Sequence, residues 1–476
     1  MDPDSGDARP RKLGYLEDAM HREHGCCVLM VAHLSGSRLL ETSMQTCVRA
    51  AAQRHPNLRS VIDEQTLSLR ELPGYSVQDC QVEFVQADNE EDAWKRVADK
   101  ETNSRFEVYG SVPLWKVLVV QSAQRDVLMV KFHHCIGDAG SGFVLVNDLL
   151  TSYQQLTSSG ALQVEPLPAL PAADSLCYPA GRSEAHASEA ELLLEELVRR
   201  RSSWTPVLKY DAVPPTAGHN TSLYRDGTEE NLQALLVRCR SKDVTVGAVL
   251  VAATYFAVAR MAGACAGSEE EEKEFTFNFD MDVNLRKRFA ESLGDDHVGC
   301  LIGILGFSLT VTRRTRFWDL VSRARRAMLQ SLQDGQHFNY FTVQSRFDAL
   351  AESGQVPGWK EALERNSGHA NDMNFSSIGR YFFEPVYGPV TLEKIYCVGG
   401  GWCPGFGGYV FLVPSVSALN YSLVYETSTL NAGVATDFFS LATELTERAH
   451  GLADNFQLSD FLGEETGTSG SSVCEA

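Results

Sequence analysis

The chain has 476 residues, 44% of them hydrophobic and 22% charged, which is enough for two domains with substantial cores. Its net charge of −20 argues against nucleic acid or an anionic membrane as a partner, because both would repel it. Residues 1–12 lack the apolar core of a signal peptide and no apolar run reaches membrane-spanning length, so we expect a cytoplasmic protein without a transmembrane segment.

Proline-rich and polar segments divide the chain into two halves. We predict an N-terminal subdomain over residues 1–187, a connecting helix and linker over 188–215, and a C-terminal subdomain over 216–460. Residues 461–476 are rich in Gly, Ser and Glu, and we expect them to form a disordered tail.

Both halves mix the helical and the strand period, which indicates an α/β protein. Helices are predicted at 143–156, 188–201, 245–261, 317–332 and 438–455. Strands are predicted at 126–134, 275–283, 409–413 and 418–425. The segment at 188–201 is the clearest helix, because it begins with acidic residues and ends with three arginines.

The most informative segment is His-His-Cys-Ile-Gly-Asp at residues 133–138. The strand before it alternates between two faces, and one apolar face carries Leu128, Val130, Phe132 and His134. The helix at 143–156 follows after a short glycine-containing turn. One imidazole is therefore carried on a hydrophobic strand to a tight turn, where a neutral histidine can act as a general base.

Other interpretations of this segment are weaker. Adjacent histidines on a strand project to opposite faces, so His133 and His134 cannot bind one ion together, and we predict no metal site. The H-x-x-x-x-D spacing of His133 and Asp138 also occurs in glycerolipid acyltransferases, but their acidic-glycine motif is missing. The 12 scattered cysteines are typical of reduced thiols, and Cys135 remains a candidate nucleophile.

The segment resembles the H-H-x-x-x-D-G signature of condensation-domain-like acyltransferases, and it is closest to alcohol O-acetyltransferases. Further segments resemble this superfamily in the same order along the chain: KLGYLE at 12–17, RHPNLR at 54–59, DVTVGAVLVAA at 243–253, DVNLR at 282–286 and FSSIG at 375–379. The resemblance covers nearly the whole chain. It implies two chloramphenicol-acetyltransferase-like subdomains, each a mixed sheet with flanking helices, and an active-site tunnel at their interface.

The resemblance also implies roles for individual residues. His134 would be the catalytic base, and Asp138 would form a structural ion pair with Arg286 instead of orienting the histidine. The other residues expected to support the site are His133 and Gly137. The candidates for donating to the oxyanion or lining the tunnel are Ser376 and Ser377.

Two positions depart from the family pattern. The glycine that usually follows the aspartate is Ala139, and the asparagine of S-N-x-G is Ser377. If position 139 requires a left-handed backbone, alanine costs about 1–2 kcal/mol, although Gly140 can take up the turn instead.

The expected function is acyl transfer from a thioester donor, most simply acyl-CoA, to a hydroxyl group of a small molecule. The thioester is a co-substrate, no cofactor is bound permanently, and we expect a monomer. One alternative is an amide-forming or carrier-protein-dependent condensation enzyme. The other alternative is a catalytically degenerate homologue that only binds a ligand.

Overall fold

The computed structural model describes residues 10–22, 26–72, 82–87, 92–123, 125–177, 185–203, 219–262, 274–289, 293–358, 361, 364–366, 371–400, 409–427 and 430–464. The strands are β1 (Arg11–Lys12), β2 (Cys27–Gly36), β3 (Ser60–Asp63), β4 (Ser68–Glu71), β5 (Val82–Gln86), β6 (Trp115–Gln121), β7 (Asp126–His133), β8 (Asn220–Asp226), β9 (Phe275–Asn284), β10 (Ile302–Val311), β11 (Met373–Arg380), β12 (Val386–Tyr387), β13 (Val390–Gly400), β14 (Tyr409–Ser415) and β15 (Asn420–Glu426). The helices are α1 (Tyr15–Arg22), α2 (Glu41–Arg54), α3 (Ala93–Asn103), α4 (Ala139–Ser159), α5 (Ala173–Cys177), α6 (Ala185–Ser203), α7 (Glu229–Ser241), α8 (Val246–Met261), α9 (Phe317–Gln333), α10 (Gln336–Glu352), α11 (Ala432–Arg448) and α12 (Leu458–Gly463).

The elements predicted from periodicity are confirmed, with one displacement. The helix expected at 438–455 is α11, which begins and ends nearly two turns earlier. The side chain of Asn431 caps its first turn by accepting a hydrogen bond from the N–H of Gly433, and a 3₁₀ turn follows its end. Helix α12 covers the first residues assigned to a disordered tail, and 465–476 lie outside the described residues.

Two six-stranded mixed sheets form the framework, as the α/β prediction requires. The first has the strand order β12-β13-β2-β7-β6-β5, and the second has the order β10-β9-β11-β14-β15-β8. Each contains parallel and antiparallel pairs: β5 runs parallel to β6, and β11 runs parallel to both β9 and β14. This is the two-subdomain α/β architecture that the resemblance implies.

The first sheet is completed by strands from the C-terminal half. Strand β13 pairs antiparallel with the whole length of β2, and β12 continues the sheet beside it. The sequence prediction assigns all of residues 216–460 to the C-terminal subdomain and does not anticipate this crossing. Strands β11, β14 and β15 belong to the second sheet, whereas β12 and β13 belong to the first. The chain therefore passes from the second sheet to the first before β12 and returns to the second sheet after β13.

Within the described part of the chain, no single helix has the length and apolar character needed to span a membrane, although α7 and α8, bent by 102° at their junction, meet that test as a pair.

The junction between β2 and β12–β13 supplies a test of this crossing. Gly36, at the end of β2, has a φ of +91°, and a Cβ there would lie 2.1 Å from the carbonyl oxygen of Pro389. We expect Gly36→Ala to lower the free energy of unfolding by about 1–3 kcal/mol, because it adds left-handed strain and a backbone clash. Urea denaturation measures this effect.

Gly451→Ala is the matched control, because a Cβ at Gly451 meets nothing within 4 Å. Equal stabilities of the two variants would contradict the tight junction between Gly36 and Pro389.

Candidate active site

His134 begins the turn between β7 and α4. Strand β7 ends at His133, one residue earlier than predicted, and the backbone N–H of His134 donates to the carbonyl of Cys26 at 2.8 Å. This bond continues the pairing of β7 with β2 for one further residue. The side chain of His134 is partly buried and reaches a cavity between the two sheets.

The cavity provides about 140 Å³ for the centres of water-sized molecules, and it opens to solvent. Both halves of the chain line it, and most of the lining is apolar. The first sheet and its connections contribute Cys26, Cys27, Val28, His134, Asp138, Ala139, Cys397, Val398, Gly399 and Gly400. The second sheet and its connections contribute Asn220, Asp282, Ile302, Asn374, Ser376, Val410, Leu412, Val424, Tyr425 and Glu426, and Met20 of α1 completes the set.

The imidazole of His134 is neutral at physiological pH. Burial lowers the pKa of His134 below its ordinary value, and this outweighs the backbone hydrogen bonds and the charge of Asp138, which act to raise it. The Sγ of Cys300 lies 3.9 Å from Nδ1 of the ring, and burial raises the pKa of that thiol, so His134 has a neutral neighbour there.

Asp138 and Arg286 form a buried bidentate ion pair. Nη1 and Nη2 of Arg286 lie 2.9 Å from Oδ2 and Oδ1 of Asp138, and each side chain is 1% exposed. The N–H groups of Ser141 and Leu301 donate to the same carboxylate at 2.7 and 3.0 Å. Burial alone would raise the pKa of Asp138, but Arg286 and Ser141 hold it below its usual value. Both carboxylate oxygens are thus engaged away from His134, as a structural role requires.

Position 139 does not require a left-handed backbone, so the conditional cost of alanine there does not arise. Ala139 is the first residue of α4, Asp138 is its N-cap with a φ of −125°, and Ala139 does not have a positive φ. The close approach falls one position later, because a Cβ on Gly140 would lie 2.7 Å from Nη1 of Arg286. The turn therefore tolerates alanine at 139 and needs glycine at 140.

His133 and Gly137 shape the turn without lining the cavity. His133 is fully buried, and its Nδ1 accepts a hydrogen bond from the N–H of Cys135 at 3.2 Å. A Cβ on Gly137 would lie 2.9 Å from the ring of Phe132, so this position has no room for a side chain. Cys135 is also fully buried away from the cavity, and burial keeps the pKa of its thiol far above the ordinary value.

The two serines of the predicted S-N-x-G-like segment diverge. Ser376 lines the cavity and is hydrogen-bonded to Asp282. Ser377 points to the other face of β11, where its Oγ lies 3.6 Å from the position a Cβ on Gly247 of α8 would take. The structure therefore corrects the prediction for Ser377, because successive side chains on a strand face opposite ways.

Comparison with known proteins agrees with this geometry. Residues 11–172 match the model of the condensation domain, and residues 199–356 match the model of the alcohol acetyltransferases. The chain is therefore similar to condensation domains in its first half and to alcohol acetyltransferases in its second half.

The chain is also similar to individual known proteins. It is 26% identical over 228 residues to the cyclosporin synthetase of Tolypocladium inflatum, a match that spans 47% of this chain and 2% of the synthetase. The trichothecene 15-O-acetyltransferase of Fusarium sporotrichioides has a similar structure, with a TM-score of 0.67 at 11% identity, covering 92% of this chain and 95% of that protein. The first condensation domain of the calcium-dependent antibiotic synthetase has a TM-score of 0.65 at 13% identity, covering 96% and 99%. At such identities the two structures establish the fold.

Polar residues that the sequence does not single out also reach the cavity of this condensation-domain-like protein. Asp282 and Asn374 lie on β9 and β11, beside Ser376. The signal for Asp282 was present in the alternation of β9, Phe-Thr-Phe-Asn-Phe-Asp-Met-Asp, whose apolar face packs into the second core. No group of three or more His, Cys, Asp or Glu side chains in the described ranges is arranged to hold a metal ion.

The ion pair supplies the second prediction. Arg286→Leu leaves the carboxylate of Asp138 buried without its cation, so we expect a loss of about 3–5 kcal/mol in the free energy of unfolding. Urea denaturation again provides the measurement.

The control is Arg325→Leu, which breaks the ion pair with Asp243, whose side chain is 87% exposed. A surface pair of this kind contributes about 0–1 kcal/mol. Equal losses in the free energy of unfolding for the two variants would show that the ion pair between Asp138 and Arg286 does not stabilise the fold more than a surface pair.

Proposed function

We propose that the protein is an O-acyltransferase that moves an acyl group from acyl-CoA to a hydroxyl acceptor, with His134 as the general base. The observation that carries this proposal is the neutral, partly buried imidazole at a cavity shared by the two sheets. The acyl-CoA is a co-substrate and is not held as a permanent cofactor.

The chemistry needs one proton carrier. As the acceptor oxygen attacks the thioester carbonyl, His134 takes its proton, a C–O bond forms, and the carbonyl oxygen becomes an oxyanion. When the intermediate collapses, the C–S bond breaks and the imidazolium returns the proton to the departing thiolate. Because a thioester is already activated, proximity and the base suffice without a covalent enzyme intermediate. Ser376 is engaged with Asp282, which favours cavity lining over oxyanion donation for this residue.

Two observations support the hydroxyl acceptor and the free acyl-CoA donor. The match to the alcohol acetyltransferase model covers residues 199–356, and a structural neighbour is by name an O-acetyltransferase. The second candidate function is carrier-protein-dependent amide formation, favoured by the condensation-domain match over residues 11–172 and by the similarity to a peptide synthetase.

The assay that separates these functions combines the purified protein with a mixture of acyl-CoA donors and either alcohols or amines, with acylated carrier protein as an alternative donor. We expect mass spectrometry to detect esters formed from acyl-CoA. Amides formed only from carrier-bound acyl groups would overturn the proposal in favour of the condensation enzyme.

Replacing the base tests the mechanism directly. We expect His134→Ala to lower kcat by about 10²–10⁴-fold, which is the usual contribution of positioned general-base catalysis. The fold should persist, because the side chain is only partly buried and faces a cavity. Steady-state kinetics and circular dichroism measure the two effects.

His219→Ala is the matched control for His134→Ala, since the side chain of His219 is 52% exposed. Cys135→Ala tests the thiol alternative and should retain turnover. An undiminished kcat in His134→Ala would exclude His134 as the base, and a wild-type protein without turnover on any substrate would be a ligand-binding homologue.

The pH dependence follows from the lowered pKa of His134. The neutral ring is the active form, so the rate must fall as pH drops through that pKa, which burial places below the ordinary 6.5. We expect kcat/KM for a simple alcohol to stay level down through pH 6.5 and then to decline by about tenfold per pH unit. A profile with its acid limb above this pH would contradict a buried, neutral base.

A further inference from the structure

The cavity has a second polar region, formed by Asp282, Ser376 and Asn374. Strands β9 and β11 run parallel, with Met281 opposite Phe375. The next residue on each strand, Asp282 and Ser376, therefore projects from the opposite face, and both line the cavity and are hydrogen-bonded to each other. This region belongs to the second sheet, whereas His134 belongs to the first.

The charge of this region is uncompensated by protein cations. Among the described lining residues, three carry carboxyl groups (Asp138, Asp282 and Glu426) and none is Lys or Arg. Asp138 is neutralised by Arg286. The groups that act on Asp282 are instead the hydroxyl of Ser376 and the carboxylates of Asp280 and Asp138.

The surroundings of Asp282 make an added hydrogen-bond donor favourable. The cavity wall is mainly apolar, through residues such as Met20, Val28, Ile302, Val410 and Leu412. Burial, together with the neighbouring carboxylates, raises the pKa of Asp282 to about 7. A partly desolvated carboxyl group of this kind is stabilised by any ligand that donates a hydrogen bond or a positive charge to it.

We propose that Asp282, supported by Ser376, binds a second hydrogen-bond donor on the acyl acceptor and so selects apolar alcohols that carry an additional hydroxyl or amino group. This inference rests on the proposed acyltransferase function and names its acceptor class. The acylated hydroxyl meets His134, and the additional group meets Asp282 across the same cavity. Asp282 is in this sense a specificity-determining residue.

The test uses acceptors that share one ten-carbon skeleton: decanol, the decanediols and the aminodecanols. The additional hydroxyl or amino group is placed at different carbon atoms of the acceptor. Calorimetry measures their binding in the absence of donor, and steady-state kinetics measure KM and kcat separately. We expect the best bifunctional acceptors to bind wild-type protein about tenfold or more tightly than decanol, because a hydrogen bond to a charged group is typically of that strength.

Asp282→Asn should abolish the preference for the amino alcohols and weaken the preference for the diols, and the loss should appear in KM and in the binding constant. Asp319→Asn is the control, because Asp319 is exposed on α9 and does not line this cavity. It should keep the full preference. Ser376→Ala provides a second variant, with the same direction of change, if Asp282→Asn fails to fold.

The outcomes separate the two proposals. Equal binding of all acceptors by the wild-type protein, or a preference that survives in Asp282→Asn, overturns the role of Asp282 and leaves the acyltransfer proposal intact. A preference that is visible by calorimetry without any turnover overturns acyl transfer and retains Asp282 as a ligand-binding residue. A fall in kcat for every acceptor at unchanged KM would likewise exclude a binding role for Asp282.

Discussion

The buried ion pair between Asp138 and Arg286 is the interaction on which the site depends. Asp138 caps α4 in the first half of the chain, and Arg286 follows β9 in the second half. The pair therefore fixes the turn that carries His134 and also ties the two sheets together beside the cavity. Two charges withdrawn from water are tolerated here because both carboxylate oxygens and the guanidinium are fully engaged, with Ser141 and Leu301 as further partners.

The same ion pair helps to explain why the proposed base, His134, is uncharged. A carboxylate bound to His134 would favour the imidazolium form and raise its pKa. Because Asp138 is committed to Arg286, its residual effect on His134 is smaller than that of burial, and the ring stays neutral. Burial thus keeps the proposed base neutral, and the ion pair of Asp138 holds the turn that carries it.

Local sequence predicted the parts of the site that depend on local structure. The strand-turn-helix around His134 follows from the alternation of β7 and the periodicity of α4, and the partner Arg286 was available through resemblance to a family segment. The sequence left open whether Ala139 needs a left-handed backbone, and the structure shows that it does not, because the N-cap at Asp138 begins the helix directly. That detail depends on how one side chain caps the helix, which composition does not reveal.

Long-range features could not be predicted in the same way. Strand β13 joins β2 across more than three hundred residues of chain, and its apolar sequence would suit either sheet equally well. Asp282 is a second example, since the polar face of β9 is typical of a strand with one face towards water. Only the packing of the second sheet against the first turns that face into the wall of a cavity.

Asp138 and Asp282 show how one residue type acquires two functions from its surroundings. Both are withdrawn from bulk water beside the same cavity, yet the pKa of Asp138 is held low by a cation, whereas that of Asp282 rises to about 7 beside other carboxylates. Asp138 contributes stability, and its carboxylate oxygens are occupied by Arg286. Asp282 lines the cavity, where a ligand can donate a hydrogen bond to its carboxyl group. The fold is shared at 11–13% identity with a trichothecene 15-O-acetyltransferase and with a condensation domain, so the fold alone does not fix an acceptor, and the proposed selection rests on the side chain of Asp282.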